Sequence, residues 1–132
     1  MKEPKLPYKK IALAIVFIWF IVGGIAHFIA PEFFLKIIPP SLPLRLEAVY
    51  LSGFFEILGA LGLLYRPTRK WAGIGLILLT IAVTPANIYM WLNPQLFSNI
   101  AESLLAGRLI LQAGLMALIW MASWPEARVM NS

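Results

Sequence analysis

Five side chains in this sequence stand where apolar residues are the rule: His27, Glu56, Asn87, Arg108 and Gln112, with Thr80 and Thr84 nearby in type and spacing. Each interrupts a long apolar run. A charged side chain inside such a run costs roughly 2.5–3.5 kcal/mol on membrane-insertion scales, so each needs a partner or a task. Their chemistry is specific. A histidine and a carboxylate can hold and pass a proton. An arginine can anchor an anion or a carbonyl oxygen. Two amides can donate and accept at once. A metal site needs more than one histidine and one buried glutamate. Haem could take His27 as one axial ligand, but no second ligand is visible.

The runs themselves are the positioning elements. Ile11–Ala30 is 20 residues with His27 as its one ionisable group. About 20 residues at 1.5 Å rise cross a hydrocarbon core of ~30 Å. It is longer than a signal-peptide core, and bulky Phe28 and Ile29 precede Ala30, so a retained span is expected. Further spans are expected at about 48–65, 71–92 and 104–124, the third containing Pro85. The Arg66-Pro67-Thr68-Arg69-Lys70 stretch reads as a tight turn that makes spans two and three an antiparallel hairpin. Between spans one and two, Pro31 opens a short amphipathic piece through Ile38. Pro39-Pro40 and Pro43 then forbid helix. This segment is expected to lie at the membrane surface as a cap. The 93–103 connection is polar and has no basic residue.

Composition agrees. The 132 residues are 61% apolar, and the mean hydropathy is +0.82. A single domain of this size cannot bury that excess in a water-soluble core. The expected fold is all-α: one four-transmembrane-helix bundle over 1–132, with a short interfacial helix or loop between spans one and two. With no cysteine, disulfides, thiol redox couples, thiolate zinc sites and iron–sulfur ligation are excluded. The net charge of +5 is segmental, which suits membrane orientation rather than nucleic-acid binding. Lys2, Lys5, Lys9, Lys10, Arg66, Arg69, Lys70 and Arg128 fall on one side, against Lys36 and Arg45 on the other. Both termini are therefore expected in the cytoplasm.

That orientation sets depth. His27, Asn87 and Arg108 fall within roughly 4–8 Å of the outer boundary, and Glu56 and Gln112 about 12 Å in. The inner halves are hydrocarbon. One polar pocket, open or nearly open to the outer face, is expected. Ser52, Gly53, Glu56, Gly59 and Ala60 share a helical face, as do Thr80, Thr84 and Asn87, and Gly23, Gly24 and His27. Arg108 and Glu56, about 6 Å apart along the bundle axis, are the expected ion pair. Glu32 and Glu47 compete for Arg108.

Several of these pieces occur together elsewhere. Gly24-Ile25-Ala26-His27-Phe28, Pro31, Ile38-Pro39-Pro40, Ser52-Gly53-Phe54-Phe55-Glu56-Ile57-Leu58-Gly59, Thr68-Arg69, Pro85-Ala86-Asn87-Ile88-Tyr89-Met90, and Arg108-Leu109 with Gln112 follow one another over about residues 20–115. In this the chain resembles the DoxX-like family of small bacterial membrane proteins. One departure is Ile110, where many relatives carry proline. The resemblance implies a four-helix bundle in the bacterial cytoplasmic membrane. It also implies an association with quinone-linked redox or stress systems, since the family name comes from a subunit of such an oxidoreductase. Membership does not by itself make the chain an enzyme.

Three functions fit. The first is binding of a small hydrophobic molecule, a quinone being expected, at His27, Glu56, Asn87, Arg108 and Gln112, with electrons supplied by a redox protein partner. The second is a non-catalytic assembly subunit, in which the polar residues are interhelical glue worth about 0.6 kcal/mol each. The third is a lipid-modifying enzyme with Glu56 as acid/base. The partners these imply are the lipid bilayer, a redox protein and a second copy of the chain; nucleic acid is not among them.

Overall fold

The computed structural model describes residues 8–97 and 101–124, and in them the backbone is helical with no strand. Four helices are long and apolar enough to cross a membrane: α1 (Tyr8–Ile29), α3 (Arg45–Leu64), α4 (Arg66–Leu92) and α5 (Glu102–Ser123). A short α2 (Pro31–Ile37) follows α1, and a single 3-10 turn (Pro94–Phe97) follows α4. Lys2, Lys5 and Arg128, which contribute to the charge asymmetry, lie outside the described residues, as do positions 98–100 of the last connection.

Helices stand at all four expected spans, with shifted ends. The largest shift concerns residues 66–70. They form no free turn but the first turn of α4, leaving only Tyr65 between α3 and α4. Proline at the start of a helix lacks a donor that would be unsatisfied there anyway, so Pro67 initiates rather than interrupts. The same residues close the end of α3. The Thr68 hydroxyl donates to the Gly62 carbonyl at 2.8 Å, and Arg69 Nε donates to the Leu63 carbonyl at 2.6 Å. Two carbonyls that lack intrahelical partners at a helix C-terminus are satisfied in this way.

α1 packs on α3, α3 on α4, α4 on α5 and α5 on α1, so the long helices form an up-down-up-down ring in chain order. α2 lies across the ends of α1, α3 and α4. At the end carrying Lys9, Lys10, Arg66, Arg69 and Lys70 the interior is solid. Ala12, Val16, Phe20, Ala60, Leu63, Leu76, Leu115, Ile119 and Ala122 are buried against one another. Lys9 Nζ donates to the Trp124 carbonyl at 2.5 Å, tying α1 to the end of α5. At the opposite end Met90 and Phe97 form a second, smaller cluster flanked by Phe34 and Ala86. The polar 93–103 connection thus carries an apolar anchor in Phe97.

α1 and α3 cross with backbone against backbone. A Cβ placed on Gly24 would lie 2.9 Å from the Gly53 carbonyl oxygen, and one on Gly53 would lie 2.9 Å from that of Gly24 and 2.6 Å from His27 Cβ. Small residues let these backbones touch. Backbone and Cβ atoms cannot move aside as a side-chain tip can. Gly53→Ala should therefore lower stability by about 1–3 kcal/mol through overpacking. Gly75→Ala, whose new methyl meets nothing within 4 Å, should not. Thermal unfolding of both variants in detergent, followed by circular dichroism, measures the difference; equal stability would place the crossing elsewhere.

Candidate functional site

The Gly24–Gly53 crossing brings the next turn of α1 against the next turn of α3. There His27 Nε2 lies 3.2 Å from Glu56 Oε2, and both residues are buried. Gly23 makes room for the carboxylate: a Cβ there would fall 2.9 Å from Glu56 Oε1. The other ring nitrogen of His27, Nδ1, is 2.6 Å from the Gly23 carbonyl oxygen. A carbonyl only accepts, so Nδ1 carries a hydrogen. In a neutral imidazole Nε2 is then a lone pair facing a carboxyl oxygen. Two lone pairs do not bind, so a proton lies between Nε2 and Oε2, carried by one or the other. The pair is built to hold one proton. Phe34 of α2 stacks on the imidazole at 3.8 Å with the rings 17° from parallel, fixing its plane.

On the other side of the bundle a second network joins α4 and α5. Arg108 Nη2 donates to Asn87 Oδ1 at 3.2 Å, and Asn87 Nδ2 donates to Gln112 Oε1. Gln112 Nε2 donates to the Thr84 hydroxyl, which donates to the Thr80 carbonyl at 3.0 Å. Each amide accepts with its oxygen and donates with its nitrogen, so the direction of the chain is set by Arg108, which has no acceptor to offer. Thr80 donates to the Leu76 carbonyl at 2.8 Å. Arg108 Nε is buried with no hydrogen-bond partner among the described residues.

The expected Glu56–Arg108 pair is absent, and this corrects the sequence reading. α3 and α5 are diagonal in the ring, whereas α1–α3 and α4–α5 are neighbours. Depth along the axis was the right kind of argument for proximity but carries no information about azimuth. Neither Glu32 nor Glu47 forms a salt bridge with Arg108 among the described residues; both are exposed.

What the two networks share is a cavity of about 700 Å³. His27, Glu56, Asn87, Arg108 and Gln112 all line it, together with Ser52, Thr80 and an otherwise apolar wall. All five residues singled out by type and depth therefore face one space. Two residues that shape it were not singled out. Phe34 roofs the cavity by stacking on His27. Arg45 holds that roof in place, its guanidinium donating to the Leu35 carbonyl and, at 2.9 Å, to the Ile38 carbonyl. The sequence offered a faint signal for Arg45: a cation directly after a proline-broken segment, beside the carbonyls that the prolines leave open. Among the described residues no cluster of His, Asp and Glu large enough for a metal ion forms.

Residues 14–123 match the model of a family described as a domain of unknown function, DUF8561. The chain belongs to this family. The matched stretch contains all five polar residues and both networks. No curated protein and no solved structure matches the chain.

The α4–α5 network has a measurable consequence. In apolar surroundings a lost partner is not replaced by water. A double-mutant cycle on Asn87→Ala and Gln112→Ala should give a coupling energy of about 1–2 kcal/mol, at the upper end for interhelical polar pairs. Additive effects would mean that the two amides do not meet. Glu56→Gln, whose amide can still donate to His27 Nε2, should keep stability within about 1 kcal/mol of wild type.

Proposed function

We propose that this is an integral membrane protein that binds a small hydrophobic molecule with a polar head, a quinone, as part of a redox- or stress-associated membrane system. The observation that carries the reading is the cavity itself. Its volume is typical of small-molecule sites, and its walls are apolar apart from a few convergent polar groups, as such sites require.

Membrane embedding is supported by the outward faces of the long helices. Ile18, Val22, Leu51, Phe54, Leu61, Leu78, Ile81 and Ile110 are all half or more exposed. So continuous an apolar surface is covered by lipid rather than water. The basic residues at the solid end of the bundle support a cytoplasmic position for that end. The cavity then lies in the outer half, beneath α2 at the interface, and both termini are cytoplasmic. The resemblance to DoxX-like proteins belongs to the same proposal and points to the bacterial cytoplasmic membrane.

The fit to a quinone rests on the donor set. A quinone supplies redox capacity and two acceptor oxygens. Arg108 lines the cavity and offers a guanidinium that can only donate. The His27–Glu56 pair holds a proton at Nε2 or Oε2 and can release it to an oxygen in the cavity. The apolar wall excludes water and strengthens both interactions. Electrons must come from a redox protein partner, because these side chains move protons and charge but carry no electrons.

Thermal-shift titration of the purified protein with decylubiquinone and a menaquinone analogue tests the reading. Wild type should be stabilised. Arg108→Met and Glu56→Gln should each weaken binding at least tenfold, about 1.4 kcal/mol. A wild-type protein that does not respond, or variants that respond equally, would reject the site.

A further inference from the structure

The cavity has a floor, a roof and a back wall, and one side that does not close. Phe20 and Leu115, buried at the top of the solid core, form the floor. Phe33, Phe34 and Ile38 form the roof, and Thr80 and Val83 of α4 line the back. The remaining side lies between α1 and α5. Near the basic end these two helices are tightly packed: Val16, Ile119 and Ala122 have no exposed surface, and Ala12 almost none. About one to two turns further along, residues facing the same gap line the cavity and are also exposed. Trp19 is 46% exposed, Val22 61%, and Leu111 on the opposite helix 52%. A side chain that both lines an interior cavity and reaches the outer surface stands at a mouth. α1 and α5 therefore splay apart from the floor upward.

The lips of this mouth are wholly apolar, and they lie on the flank of the bundle rather than at its end. A flank of this kind faces hydrocarbon if the chain spans a membrane. We propose that the cavity takes its ligand sideways from the bilayer through the α1–α5 gap. The ligand class is an amphiphile dissolved in the membrane, whose hydrogen-bond-accepting head seats against Arg108 and whose tail leaves between Trp19, Val22 and Leu111. A head of this kind meets the guanidinium of Arg108, which lines the cavity and can only donate, while a tail longer than the cavity continues into lipid without strain. A water-soluble ligand would have to cross an apolar rim and shed its hydration shell with nothing to replace it.

This inference rests on the reading of the cavity as a ligand site in a membrane, but its test uses no quinone, so the two fail separately. The chain has no cysteine, and introduced thiols therefore report alone. Thr80→Cys places a thiol on the back wall at a position only 4% exposed, and Leu78→Cys places one outside the cavity on the surface of α4, 60% exposed. Both are made in the full chain in liposomes. They are treated with lipid-soluble N-phenylmaleimide or with a membrane-impermeant trimethylammonium methanethiosulfonate. Thr80→Cys should react with the maleimide at a rate within a few-fold of Leu78→Cys, and be spared by the charged reagent. Narrowing the mouth with Val22→Trp or, independently, Leu111→Trp should slow the maleimide at Thr80→Cys at least tenfold and leave Leu78→Cys unchanged. The two narrowing variants sit on different helices, so misfolding of one leaves the other to decide. Preferential reaction with the charged reagent, rates indifferent to both narrowing variants, or a silent Thr80→Cys beside a reactive Leu78→Cys would overturn the proposal.

Discussion

A polar group in apolar surroundings has no water to fall back on, and a lost hydrogen bond there leaves a donor or acceptor bare. The upper half of this bundle is organised by that constraint. Five polar side chains project into it from four helices, and they bond to one another within two networks. His27 with Glu56 closes the α1–α3 seam. Arg108, Asn87, Gln112 and Thr84 close the α4–α5 seam. Each network closes on its own pair of helices. The space between them remains open as the cavity, with all five residues on its wall.

Packing divides the labour along the axis. Near the basic end, small and branched apolar residues fill the interior, and α1 packs directly against α5. Above that level two glycines on α1 and one on α3 draw those helices together. This closeness places the imidazole on the carboxyl group, and the same pull on α1 accompanies its separation from α5. The roof depends on a different device. Prolines break the chain after α2, and Arg45 collects the carbonyls left behind, holding Phe34 over His27.

Much of the fold was legible in the sequence, because apolar run length and proline position are local properties. Ile11–Ala30 foretold α1 within a few residues, and Pro31 and Pro39-Pro40 bracketed α2. The Arg66–Lys70 stretch was misread because proline and basic residues suit a turn and a helix start equally well. What separates the two is whether Thr68 and Arg69 find carbonyls of the preceding helix, a question of three-dimensional reach. The membership of the cavity was legible too, since polar interruptions at similar depth in every span have one shared place to go.

The partners within that cavity were not legible. The sequence by itself determined which groups are buried, at what height, and on which face of each helix, because helical rise and the cost of burying polarity depend on local sequence alone. It could not determine which helices are neighbours. That is set by how side chains on all four interlock, and it decided that Glu56 meets His27 rather than Arg108. It also decided that Arg108 begins an amide chain through one of its nitrogens, and that the cavity opens on its flank. Height is a one-dimensional quantity that a chain carries in its residue order, whereas azimuth exists only once the bundle has closed.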